Sequence, residues 1–154
     1  MRRVFCILCV CLSLLLAACT AAPSPDEFQT AAEKTLPPIA GVWYASRADP
    51  WEKEYLGDEL EKRFFGDMDT EGVCYRLFLG TDDAQMAEIL IATLETESDA
   101  VLLAEYLAAR LSGLRERAGD AFSASLSDAA VYRKGKTVLY TATPYNSEIV
   151  ALFK

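Results

Sequence analysis

Two predicted β-hairpins, separated by one long amphipathic helix, constrain the fold more than any other feature of this 154-residue chain. Each hairpin consists of two apolar runs, rich in β-branched and aromatic residues, on either side of a turn sequence, Gly80-Thr81-Asp82-Asp83 or Lys134-Gly135. The four strands are predicted at residues 73–79, 86–94, 129–133 and 136–143. Between the hairpins, Ser98 is predicted to cap a helix over residues 99–117, where alanine and leucine recur every three or four positions.

Shorter helices are predicted near both ends of the chain. Ser24, Pro25 and Glu27 supply an N-cap, a first helical residue and a capping-box acid, so a helix is expected over residues 26–36. Two more short helices are expected, at residues 58–65 with Gly66 closing the helix and at residues 146–153 with Asn146 as the cap.

Together these elements predict an α+β fold in two layers. The sheet is expected to be antiparallel and four-stranded, built from the two hairpins, with the long helix and the shorter helices on one face. The opposite face is expected to be partly solvated.

The N-terminal segment has the three parts of a bacterial lipoprotein signal. Arg2 and Arg3 precede an apolar run over residues 4–16, and small residues then lead to Cys19 in the motif Leu16-Ala17-Ala18-Cys19. The run is shorter than the about 20 apolar residues that a membrane-spanning helix needs. We therefore predict cleavage between Ala18 and Cys19, although Cys19 is alternatively one more small apolar residue in a cysteine-rich signal.

This interpretation divides the chain into a signal peptide (1–18), a tether at the lipidated cysteine (19–25) and a single globular domain (26–154). A diacylglycerol and a further acyl chain such as palmitate on Cys19 would anchor the mature protein firmly to the membrane, since each buried methylene contributes about 0.8 kcal/mol. The predicted location is extracytoplasmic, at the cell membrane.

Charge and composition exclude several classes of partner and of catalytic chemistry. The chain's formal net charge is −8, and loss of Arg2 and Arg3 with the signal takes it to −10, so nucleic acid is not an expected partner. The chain has no histidine, which removes the commonest general base and zinc ligand. Cys74, the remaining cysteine of the mature chain after Cys19, is expected to be a buried structural thiol.

No residue is assigned a catalytic role, and no metal or cofactor is predicted. Residues 67–72 resemble the front of a calcium loop, but Phe78 stands where the closing glutamate is required, so an acidic turn is favoured. Trp43, Trp51 and Tyr55 are candidate binding residues, because aromatic rings stack on sugars or anchor protein partners. Packing against the sheet is the favoured alternative for this aromatic stretch.

Several segments resemble small bacterial lipoproteins, common in Gram-positive anaerobes, that carry the domain of unknown function 4358. The segments that carry the resemblance are Leu16-Ala17-Ala18-Cys19 and residues 26–36, 73–79, 84–91, 99–117 and 131–139. The resemblance covers roughly residues 58–153 and the signal, and the aromatic stretch from Trp43 to Tyr55 departs from it. It implies no activity, because the family has none assigned.

The sequence thus predicts a non-catalytic binding module in the envelope, anchored through Cys19 and with a protein partner there. Alternatives are an envelope enzyme that uses carboxylates without histidine, and an accessory subunit of a membrane transporter or complex. A two-lobed substrate-binding protein of an importer is disfavoured, because the mature length of about 136 residues suits one domain.

Overall fold

The computed structural model describes residues 21–83 and 85–154, within which five helices and five strands form. The helices are α1 (Pro25–Thr35), α2 (Asp58–Phe65), α3 (Glu97–Ala118), α4 (Ser123–Leu126) and α5 (Asn146–Phe153). The strands are β1 (Gly41–Ala45), β2 (Cys74–Gly80), β3 (Glu88–Thr93), β4 (Ala130–Lys134) and β5 (Thr137–Ala142). The predicted signal peptide and Cys19 lie outside the described residues. Across the described residues, no helix combines the length and apolarity needed to cross a bilayer.

The strands form one antiparallel sheet in the order β1-β2-β3-β5-β4. The α+β class and the two predicted hairpins, β2-β3 and β4-β5, are confirmed, and pairing of β3 with β5 joins them. The prediction of four strands is wrong, because β1 adds a fifth along the edge of β2. Only five residues long, β1 shows too little alternation to be recognised without the partner strand that pairs with it.

Helices cover both faces of the sheet, so the prediction of helices on one face is wrong. On one face, α2 and α3 pack over a core that includes Leu77, Leu90 and Tyr140. On the other face, α1 and α5 cover Phe78, Ile91 and Leu139. The physical reason is visible in β3 and β5, whose consecutive apolar residues are typical of strands buried on both sides.

Local hydrogen bonds determine the residues at which α1 and α3 begin. At α1 the predicted capping box is confirmed, since the Glu27 amide donates to Ser24 Oγ and the Ser24 amide donates to Glu27 Oε2. At α3 the N-cap is Thr96 and not Ser98, because Thr96 has extended backbone and its hydroxyl accepts from the Asp99 amide at 3.1 Å. Ser98 lies inside the helix.

Asn146 does not cap α5 as predicted, although α5 ends at Phe153 as expected. Its buried side chain instead accepts hydrogen bonds from the Thr143 amide (2.9 Å) and the Thr141 hydroxyl (2.8 Å), and donates to the Ser125 carbonyl (2.9 Å). Asn146 therefore secures the turn that leads from β5 into the helix.

Candidate functional site

A polar groove of about 940 Å³ opens at the end of the sheet where β1 finishes and β2 begins. We call it the strand-end groove. Four separate segments form it: the loop between β1 and α2, α2 itself, the turn and first residues of β2, and Glu95 after β3. Its lining residues are Ala45, Ser46, Arg47, Ala48, Tyr55, Leu56, Glu61, Asp69, Thr70, Glu71, Gly72, Val73, Tyr75 and Glu95.

The loop after β1 is held to β2 by a short extension of the sheet ladder. The Ser46 amide donates to the Tyr75 carbonyl at 3.2 Å, and the Ser46 hydroxyl accepts from the Tyr75 amide at 3.1 Å. The next residue, Arg47, has a φ of 67°, in the left-handed region that side chains other than glycine rarely adopt. The chain therefore turns sharply at Arg47, which leaves this exposed side chain at the rim of the groove.

The opposite wall is built around Gly72. The φ of Gly72 is 88°, and a Cβ there would lie 2.3 Å from Glu95 Oε1. Glycine thus lets the Glu95 side chain lie close over the turn. Nearby, the Thr70 hydroxyl donates to a carboxylate oxygen of Glu61, which fixes that acid against the turn.

Two tyrosines contribute to the groove. Tyr75 is 5% exposed, and its ring lies 5.0 Å from that of Phe65. Burial, with a smaller contribution from the charge of Glu61, raises the pKa of the Tyr75 phenol well above its ordinary value. The charge of Asp58 raises the pKa of Tyr55, whose hydroxyl donates to that carboxylate at 3.3 Å. Both phenols therefore stay protonated at neutral pH and act as hydrogen-bond donors.

The walls of the groove carry both hydrogen-bond acceptors and hydrogen-bond donors. Carboxylates outnumber the single guanidinium of Arg47 on its walls. Among residues 21–83 and 85–154, no group of three or more histidine, cysteine, aspartate or glutamate side chains has an arrangement that could hold a metal ion. The groove can accept hydrogen bonds through its acids and donate them through Tyr75 and Arg47, whereas the Tyr55 hydroxyl already donates to Asp58.

The three aromatic residues singled out from the sequence lie apart. Trp43 is half-buried on the face covered by α1, where its ring is 5.2 Å from Phe78 and lines an apolar pocket of about 160 Å³. Trp51 is 81% exposed on the loop after β1. Tyr55 alone of the three lines the strand-end groove. Packing thus accounts for Trp43, whereas Trp51 and Tyr55 remain accessible.

Cys74 is less buried than expected. It is the first residue of β2, with a free thiol and intermediate exposure, and it lies outside both core clusters. The prediction of a fully buried structural thiol is therefore wrong.

A second polar cluster, which the sequence analysis missed, lies at the opposite end of the sheet. We call it the Glu88 network. Glu88, 5% exposed, begins β3, and its Oε2 accepts from Arg110 Nη1 (2.8 Å) and from the Tyr140 hydroxyl (2.7 Å). Its Oε1 accepts from Arg110 Nη2 (3.0 Å) and from Arg63 Nη2 (2.8 Å). The guanidinium of Arg110 also lies 4.5 Å from the centre of the Phe64 ring.

Burial and the charge of Glu88 oppose each other at Arg110 but act in the same direction at Tyr140. Burial lowers the pKa of Arg110, but the hydrogen bonds and charge of Glu88 outweigh it and hold that pKa above its ordinary value. Burial and the charge of Glu88 raise the pKa of Tyr140 well above its usual range. Tyr140 is therefore a neutral donor, and the carboxylate of Glu88 binds donors on both of its oxygens.

A sequence signal for the network did exist. Arg110 lies seven residues after Leu103 and three after Leu107, which places it in the apolar stripe of α3. A charged residue in such a stripe needs a buried partner. Among the described residues, no buried side-chain polar atom lacks a hydrogen-bond partner, and Glu88 supplies the partner that Arg110 needs.

Comparisons with protein-family models, with curated proteins and with solved structures find no match to this chain. The resemblance to the lipoprotein family therefore stays a prediction.

Proposed function

We propose that the protein is a lipid-anchored lipoprotein of the bacterial cell envelope, held on the outer side of the cell membrane, that acts as a non-catalytic binding module. The observation that carries the proposal is the motif Leu16-Ala17-Ala18-Cys19 behind Arg2 and Arg3. Thioether-linked diacylglycerol on Cys19 would make the mature domain a permanent membrane resident.

The strand-end groove supports the binding part of the proposal. It is open, and its walls mix fixed carboxylates with protonated phenols and one arginine. The Glu88 network, by contrast, has both oxygens of its carboxylate already engaged. The proposed partner is a protein of the envelope, bound through the groove by hydrogen bonds and charge.

Replacing Cys19 with alanine is expected to abolish lipidation, because no other thiol lies at the cleavage site. The precursor should keep residues 1–18 and incorporate no labelled palmitate, as followed by metabolic labelling and by the mass of the N-terminal peptide. Cys74→Ala is the matched control, since it removes the other cysteine of the mature chain and should leave labelling unchanged. Normal labelling and anchoring of the Cys19→Ala protein would contradict the proposal.

A photo-crosslinking amino acid tests the groove as the binding surface. Placed at Glu71, an exposed groove residue, it should yield a discrete heavier species when the full anchored protein is irradiated in its own cells. The same amino acid at Thr81, exposed at the other end of β2, should not yield that species. The same product at both positions, or no product at Glu71, would show that the groove does not bind a partner protein.

A further inference from the structure

The first turn of α1 is fastened to the end of the sheet that carries the strand-end groove. Arg76 of β2 pairs with Asp26 of α1, with 2.6 Å between Nη2 and Oδ1. Arg76 directly follows Tyr75, which lines the groove, but neighbouring residues of a strand point to opposite faces, so the two share only the end of the sheet. Further along α1, Phe28 and Ala32 are 1% and 0% exposed against the sheet. The chain therefore enters the domain at the end of the sheet that carries the groove, but on the opposite face, through a helix that is packed in place.

The segment between Cys19 and this helix is short. Residues 20–24 separate Cys19 from Pro25, the first residue of α1. An extended chain spans at most about 3.6 Å per residue, so the start of α1 lies within about 20 Å of the Cys19 backbone. A folded chain of this size has a radius of gyration of about 14 Å and hence a diameter of about 36 Å. We call residues 20–24 the leash. Its fully extended length is smaller than the diameter of the domain.

The net negative charge of the mature chain keeps the body of the domain away from an anionic bilayer. The mature chain carries a formal net charge of −10 once Arg2 and Arg3 are removed from the −8 of the full chain. A bilayer with anionic headgroups repels such a domain. Its point of attachment stays near the bilayer because the leash holds it there. Thr81, just beyond the end of β2, lies about 20 Å from Tyr75 along the strand direction.

We propose that the short leash and the docked α1 hold the end of the sheet that carries the strand-end groove toward the bilayer, with the Thr81 end pointing away from it. The inference rests on the proposed lipid anchor. The surface that faces the bilayer is polar, with Arg47, Asp69 and Glu71 exposed, so it faces the headgroups without inserting. A ligand of the groove then enters from the layer between the domain and the membrane.

Energy transfer from a labelled domain to labelled headgroups tests the orientation. Full-length protein with Cys74→Ser, processed in cells and reconstituted into vesicles that contain anionic phospholipid, has no free thiol because lipid occupies the Cys19 sulfur. A donor dye is then attached at Glu71→Cys or at Thr81→Cys, and acceptor dye is placed on headgroups. Transfer from position 71 is expected to exceed that from position 81 severalfold.

A longer leash is the matched control. A flexible Gly/Ser insertion of about 20 residues after Thr20, before the packed residue Ala22, adds a chain whose root-mean-square length is about 25 Å, and it should remove most of the difference between the two positions. Equal transfer from both positions with the natural leash, or greater transfer from position 81, in protein that still floats with the vesicles would overturn the orientation alone. Protein that carries no lipid by mass and does not float would overturn the lipid anchor and the orientation together.

Discussion

Replacing Glu88 with alanine is expected to lower the free energy of unfolding by about 3–5 kcal/mol, because it leaves Arg110 buried without a counter-charge. The side chain of Arg110 is 10% exposed and forms two hydrogen bonds with the carboxylate of Glu88, which also holds Arg63 and Tyr140. Urea unfolding followed by circular dichroism measures the effect through the shift in the midpoint.

Two further variants make the result specific to the buried charge. Glu95→Ala removes an exposed carboxylate two residues beyond β3 and should change the free energy of unfolding by no more than about 0.5 kcal/mol. A triple variant, Glu88→Leu with Arg110→Met and Tyr140→Phe, removes the polar atoms together and should recover most of the loss. A cost below about 1 kcal/mol for Glu88→Ala alone would show that Arg110 is not held in a buried pair.

Leu90→Ala and Ile91→Ala are each expected to lower the free energy of unfolding by about 2–5 kcal/mol. These neighbours in β3 point to opposite faces of the sheet, and both are 0% exposed. Leu90 packs under α2 and α3, and Ile91 packs under α1 and α5. Each substitution therefore removes buried methyl groups and leaves a cavity on its own side of the sheet.

The pair distinguishes a sheet covered on both faces from one covered on a single face. With one face solvated, one of the two substitutions would cost less than about 1 kcal/mol, since little packing is lost at an exposed position. Arg133→Ala, at an exposed position of β4, is the control and should have almost no effect on the urea midpoint. Losses of similar size at Leu90 and Ile91 are the expected outcome.

The elements that were predicted correctly are those specified by neighbouring residues. The capping box at Ser24 and Glu27, the hairpin turn at Gly135 and the glycine that ends α2 all depend on contacts within a few positions of the chain. Gly135 has a φ of 56° and Gly66 a φ of 65°, conformations that glycine adopts without strain. Such features can be recognised from residue type and spacing alone.

The candidate site was predicted only in part, and the reason is its construction from distant segments. Tyr55 was singled out because aromatic rings stack on sugars or anchor protein partners, but Glu61, Tyr75 and Glu95 were not. These residues meet because β1 pairs with β2 and because Ser46 extends that ladder to Tyr75. No local pattern indicates such an encounter.

The sequence by itself determined the acidic charge, the four strands of the two hairpins and the long helix, and it contains the N-terminal motif that predicts lipidation, since each depends on composition or on spacing along the chain. The tertiary structure decided the edge strand β1, the covering of both faces of the sheet and the pairing of Glu88 with Arg110, 22 residues apart in the chain. These features depend on which surfaces are buried against each other. Burial is a property of the packed chain as a whole, because the same leucine or glutamate is stabilising or costly according to what covers it.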